Sequence, residues 1–393
     1  MEIPGTASLQ KNTTGSMRIR LTTKNTVGMS SNRLLEDEVW SQLEYLHTVV
    51  EAREKFLKTK GFKKQSDINK IGREFSAYLT QAKNFYQHAK NSDYRSAALL
   101  YYYSFLNIAK ALIIINNPKL SGSKFVHGLQ RVTKKGDLTE LSIQLGNVKG
   151  YNVNTFDEFY NVIYGNYYVR NEEISLLDLF SYCSDVAQEY EDLAGKPNRI
   201  SYAAYVIALD SGTKKSWNKI AINGWHKNTL YPNTFSDFQS KYTKINVPGL
   251  YRQTQFKIEG MAYGITFFEA NKEFDFIGGE GIDWYSCRNE LESTLKGLYQ
   301  TSIYNTDDIN FELLAPVDDS SDMRHNELSS IYVAMYYLSE IVRYNPELFD
   351  GQMNVKTANG WLLKGFIEQA PVTFLYRILS LFKDSEVLYE HRH

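Results

Sequence analysis

Cysteine is nearly missing from this 393-residue sequence: Cys183 and Cys287 stand alone, without CxxC or metal-ligand spacing. That excludes a disulfide framework and a cysteine-based metal site, and leaves two reduced core thiols of a cytoplasmic protein as the expectation. Net charge is missing too. Lys plus Arg (44) balances Asp plus Glu (45) for a formal charge of −1, so nothing pulls the whole chain toward nucleic acid or an anionic membrane, and only a local basic patch stays open. No run reads as membrane-spanning. The most apolar stretch, Leu99 to Ile115, contains Ser104, Asn107 and Lys110 and stops at Asn116-Asn117-Pro118, whereas a span takes about 20 mainly apolar residues. A charged-then-apolar signal pattern is also missing from the start. Residues 1–16, polar and small before Met17, read as an expression-derived leader or a flexible native tail.

The familiar catalytic signatures are lacking as well: there is no P-loop Lys-Ser/Thr, no HExxH pair and no GxSxG elbow. "FIGGEGIDW" supplies Gly278, Gly279 and Gly281, but Trp284 stands where a dinucleotide fingerprint needs its third glycine, so a tight turn is expected there. The acidic run from Asp318 to Asp322 reads as a solvated loop. No cofactor and no metal are expected.

Aromatic residues are what the chain has in plenty. Twenty-nine Tyr and 21 Phe, with Trp, make 14% of it, and Tyr gives large buried area with a polar tip, which suits a Tyr-rich core first and sticky interfaces second. A chain this long predicts two or three packed units. Helical spacing runs from Leu34 to about Gly195: Leu35, Val39, Leu43, Leu46 and Val50 mark one helix, and Ile68, Ile71, Phe75, Leu79, Ala82 and Phe85 a second. Asp93 to Ile115 is a third, and shorter runs follow at Asp157 and at 176–193. After Pro197 the texture changes to Tyr-, Phe-, Ile- and Val-rich segments with short turn signals, the marks of strands. From His325 the helical period returns through Leu328, Ile331, Met335, Leu338 and Val342. Asn345-Pro346 then ends one helix and starts another, and Pro371 is expected to open a further one in the same way. The fold expected is mainly α with a β-containing middle (α+β). Its regions are a flexible segment 1–33, a helical domain 34–197, a β-containing region 198–324 and a helical region 325–393. The two helical regions are expected to flank the middle and pack together.

Four polar residues are candidates for a site. Asn107 and Lys110 fall on one face of the apolar third helix, where an ammonium is costly unless it meets a carboxylate, carbonyls or a ligand anion. The functional reading is a phosphate or nucleotide contact; the structural reading, which is preferred, is a lysine paired with an acid. His127, in a Gly- and Ser-containing loop before Gly128, is placed for acid–base work, although a lone histidine is more often structural. Arg343 follows Glu340 by one turn at a helix C-terminus, and both the dipole and the acid account for it.

"YYYSFLNIAKALIIINNPKLSGSKFVHGL" and "ELSSIYVAMYYLSEIVRYNPELF" together resemble the helical segments of YaaC-like bacterial proteins, over most of the chain from Leu34 to Phe382. The "LNIAKAL…HG" portion is also similar to HEPN helical domains of bacterial toxins and anti-phage effectors, which implies a HEPN-like bundle built from the N-terminal and C-terminal helices. HEPN ribonucleases carry Arg, four to six residues, then His, and no Arg in this chain has a His at that spacing. The expectation is therefore a non-catalytic binding or regulatory protein, with a protein partner or second copy, in a defence or toxin–antitoxin-like setting that the resemblance alone implies. The alternative is an enzyme acting on RNA or nucleotides through His127 and Lys110. No membrane association is expected.

Overall fold

The computed structural model describes residues 11, 15–18, 25–132, 141–146, 152–168, 173–245, 265–277, 281–282, 284–301, 311–316, 325–354 and 356–391. Two short strands come first, β1 (Gly15–Arg18) and β2 (Asn25–Ser31), followed by helices α1 (Leu35–Thr48), α2 (Val50–Thr59), α3 (Gln65–Lys90) and α4 (Tyr94–Asn116). The single helix expected through Val50 is two, because Val49 is extended (φ −77°, ψ 114°) and its carbonyl restarts the ladder at Arg53. Asp93 caps α4 by accepting from the Ser96 amide at 3.0 Å, and Asn117-Pro118 stops it. By length and composition α4 is apolar enough to cross a membrane, which corrects the reading that no segment is. Within its most apolar window 78% is buried inside the protein.

Short strands β3 (Phe125–Val126), β4 (Leu129–Arg131), β5 (Ser142–Leu145) and β6 (Val153–Asn154) lead to α5 (Thr155–Tyr164), and β7 (Ile174–Ser175) leads to α6 (Leu176–Phe180) and α7 (Ala187–Ala194). These strands, absent from the helical expectation, pair as β3 with β6 and as β4-β5-β7. The middle of the chain holds β8 (Ile200–Asp210), β9 (Lys215–Asn223), α8 (Ser236–Lys241), β10 (Tyr242–Ile245), β11 (Ile265–Ala270), β12 (Phe274–Ile277), β13 (Gly281–Ile282), α9 (Trp284–Thr294), β14 (Tyr299–Thr301) and β15 (Phe311–Leu314). Helices α10 (Glu327–Tyr344), α11 (Pro346–Gln352) and α12 (Ala358–Lys383) and strand β16 (Ser385–His391) complete it. The fold is mainly helical with a β-containing middle.

Contacts divide the chain into two compact units, one made of residues 26–198 with 325–393 and the other of 199–324 with 1–25. The helical stretches thus form one unit, interrupted in sequence by the other. Its core joins α4 to α10 and α12: Phe105 stacks on Phe374 at 3.8 Å, and Tyr102 meets Tyr332 and Tyr336 edge-on at 6.0 and 5.3 Å. Pro371 lies inside α12 instead of opening a helix. Its ring removes one ladder bond, but Phe366 and Ile367 before it and Phe374 and Ile378 after it are all buried, so packing carries the helix through.

In the second unit the sheet runs β10-β11-β9-β8-β15-β14, with β1 on β8 and β12 on β9 and β13. Every pairing is antiparallel. One long edge of β8 is shared: β15 pairs with 200–203 and β1 with 206–209. Backbone groups that β15 leaves unpaired thereby find partners, and so part of the segment expected to be flexible is a strand. Of the Gly-rich stretch, residues 278–280 and 283 lie outside the described residues, as does the acidic run at 318–322; Ile277 and Gly281 face each other in the β12–β13 hairpin. Both cysteines are buried thiols, and Cys287 Sγ meets Ser216 Oγ at 3.7 Å.

Candidate functional site

Helix α10 opens with a capping box, in which Asn326 accepts from the Ser329 amide and Ser329 accepts in return. From that start its 3.6-residue period carries Tyr336, Glu340 and Arg343 to one face near the C-terminal end. Arg343 pairs with Glu340 at 2.8 Å and donates its Nε to the Ser339 carbonyl at 3.2 Å, as its position at a helix end favours.

His127 reaches that face from the link between β3 and β4. The Phe156 amide donates to the His127 carbonyl at 3.2 Å, and Thr155 Oγ1 donates to the Val126 carbonyl at 2.7 Å, so the start of α5 holds the link. Gly128 has φ +81°, and a Cβ there would stand 1.6 Å from Asn154 Oδ1. Only glycine fits. Asn154 in turn donates to the Gly128 carbonyl at 3.2 Å and caps α5 at the Asp157 amide at 3.0 Å. Held in this way, the imidazole lies against Tyr336, ring centres 5.2 Å apart, and Tyr336 Oη donates to the Leu129 carbonyl at 2.9 Å. Burial pushes the His127 pKa down; the Glu340 carboxylate opposes this and Arg343 adds to it. The ring is therefore neutral at pH 7.

Glu340 is the centre of the cluster. Besides pairing with Arg343, it acts on His127, Tyr336 and Tyr337, whose phenols burial already pushes up. Tyr337 also feels Arg131, at the end of β4. The Arg131 guanidinium is poorly served: Nη2 reaches Asn345 Oδ1 at 3.4 Å, while Nη1 is buried with no hydrogen-bond partner among the described residues. A buried donor left unmade costs about 1–3 kcal/mol, more when charged. Chemically the cluster offers Arg343, a neutral imidazole and phenol hydroxyls around one carboxylate, with the Arg131 guanidinium beside Tyr337, and these donors suit a planar or tetrahedral oxyanion.

The sequence candidates divide. His127 and Arg343 come together here. Asn107, 4% exposed, bonds back to the Tyr103 carbonyl of its own helix at 2.8 Å. Lys110 faces α3 instead, its Nζ 5.7 Å from the centre of the Tyr78 ring. It has no carboxylate partner among the described residues, contrary to the ion pair expected of it, and burial alone lowers its pKa. Tyr78 itself donates to Glu74 at 3.2 Å, and Ser121 Oγ donates to the same carboxylate at 2.6 Å. Sequence reasoning missed Tyr336 and Arg131. The first was legible in the spacing 336, 340, 343; the second depends on the pairing of β4 with β5, which leaves no local mark.

The family model described as YaaC-like Protein matches residues 34–382. The chain belongs to the YaaC-like family. That match takes in every residue of the cluster, from His127 to Arg343, and family membership by itself brings no activity with it. No curated protein and no solved structure matches the chain.

Proposed function

We propose that this YaaC-like protein is a non-catalytic binding or regulatory module that captures a phosphate group, of a nucleotide or of RNA, between Arg131, Arg343 and His127. The observation that supports the reading is Arg131 Nη1, a buried charged donor without a hydrogen-bond partner among the described residues. An arriving oxyanion satisfies it and adds charge-assisted bonds, whereas Arg343 already has Glu340. On the same reading the helical unit is HEPN-like without the HEPN ribonuclease motif, and works in the cytoplasm in a defence or toxin–antitoxin-like setting, with a protein partner.

Thermal unfolding with inorganic phosphate, adenosine monophosphate and a short RNA tests the binding. At a ligand concentration 100-fold above Kd the folded state gains about 2.7 kcal/mol; Arg131→Met should reduce the gain most and His127→Ala should reduce it less. No shift with any probe, or an equal shift in Arg131→Met, refutes the site. A second reading, RNA or nucleotide turnover, draws on the neutral His127 beside Glu340 as a general base. Product formation lost in His127→Ala would favour it over simple capture.

A further inference from the structure

Far from this cluster in sequence, the sheet-containing unit carries a cleft of about 630 Å³. Three elements line it: the end of α8 with Lys241, the turn between β11 and β12 with Asn271 and Lys272, and α9 with Ser286 and Glu290. Two of these groups lack partners. Glu290 Oε2 is buried with no hydrogen-bond partner among the described residues, and Lys272 makes no ion pair there, its Nζ lying 4.8 Å from the centre of the Phe274 ring.

The charges around Glu290 decide what the cleft can take. Lys272, Lys241 and Lys11 all act on its carboxylate, while Asp237 opposes them and burial pushes its pKa up. Lys11 is paired with Glu273 at 3.1 Å and Lys241 with Asp237 at 2.8 Å. A cation entering would meet three ammonium groups, so the unpartnered carboxylate oxygen suits a neutral donor such as a hydroxyl. Lys272, which acts on Glu290 but forms no ion pair among the described residues, offers its ammonium to an anion. We infer that this cleft binds a phosphorylated sugar, its hydroxyls donating to Glu290 and its phosphate meeting Lys272 and Lys241. Carboxylate-to-hydroxyl recognition of a ribose beside a phosphate contact is established chemistry for such ligands. A free sugar phosphate and the ribose phosphate of a nucleotide share it.

Calorimetric titration of the full chain with ribose 5-phosphate, adenosine monophosphate, ribose and inorganic phosphate tests this. Ribose 5-phosphate should bind at least about ten-fold more tightly than ribose or inorganic phosphate, since a hydrogen bond to a charged group is worth about that factor or more. Glu290→Gln should weaken ribose 5-phosphate by about the same factor and leave inorganic phosphate unchanged or tighter; Lys272→Met should weaken both. Adenosine monophosphate equal to ribose 5-phosphate identifies the sugar phosphate as the whole determinant, and tighter binding of the nucleotide that is still lost in Glu290→Gln identifies a nucleotide as the ligand. In an Arg131→Met background, Glu290→Gln should still weaken ribose 5-phosphate by the same factor, which separates this cleft from the α10 cluster. Binding of ribose 5-phosphate no tighter than phosphate, indifference to both cleft substitutions, or loss of the Glu290→Gln effect in the Arg131→Met background overturns the inference.

Discussion

Single side chains in this protein are decided by what surrounds them. Lys110 and His325 are both pushed toward their neutral forms by burial. Lys110 is a half-buried ammonium that meets the face of Tyr78 and no acid among the described residues. Removing its charge leaves nothing unpaired, so Lys110→Met should melt at the same temperature as the parent or higher; a loss of about 3–5 kcal/mol, the cost of breaking a buried pair, would show that it has a carboxylate after all. His325 is 3% exposed, lies between the rings of Tyr168 and Tyr182, and neither ring nitrogen has a hydrogen-bond partner among the described residues. Burial lowers its pKa to about 4, with Asp178 opposing. Because the unfolded chain takes up this proton near pH 6.5 and the folded chain does not, stability falls as pH drops from about 6.5 to about 4, by about 3 kcal/mol in all. In His325→Phe that loss should vanish, so the two proteins' unfolding free energies should diverge over this window. Parallel profiles from pH 7 to 4 would exclude the assignment.

At the scale of elements, one buried ion pair ties α10 to α12. Glu327, in the first turn of α10 and fully buried, accepts from Arg377 Nε at 3.0 Å and Nη2 at 2.7 Å, and its other oxygen accepts from the Ser184 amide at 2.8 Å. All of these bonds join residues distant in sequence. Arg377→Met strands the carboxylate and should cost about 3–5 kcal/mol in denaturant titration, while pairing it with Glu327→Gln should recover part of that loss. An additive or negligible effect would place the two groups apart in solution. The local parts of these same elements were legible. Asp93 before α4, Asn-Asn-Pro after it and Asn345-Pro346 between α10 and α11 follow capping and proline rules that act within a few residues. Pro371 misled, because a rule about first helical positions yields to a core that holds both halves of α12.

For the molecule as a whole, the helical unit is built from two stretches of chain. Residues 26–198 alone lack α10 and α12, and with them the partners of Tyr102 and Phe105 and the Arg377–Glu327 contact to Ser184. A fragment 26–198 should therefore keep helical far-ultraviolet dichroism but lose near-ultraviolet signal and bind a hydrophobic dye; adding 325–393 in trans should restore fixed packing. A cooperative melt by the first fragment on its own would contradict this.

Helix periods, strand texture, chain stops and the mainly helical class with its β-containing middle came from the sequence itself, since each rests on interactions between near neighbours. Tertiary structure alone decided that β1 completes the edge of β8, that Lys110 faces an aromatic ring, that His127 meets Glu340 and Arg343, and that Arg131 reaches Tyr337 and Asn345. Those outcomes join residues up to about two hundred positions apart, and the energy of such a contact depends on burial and partner geometry that no local pattern of residue types encodes.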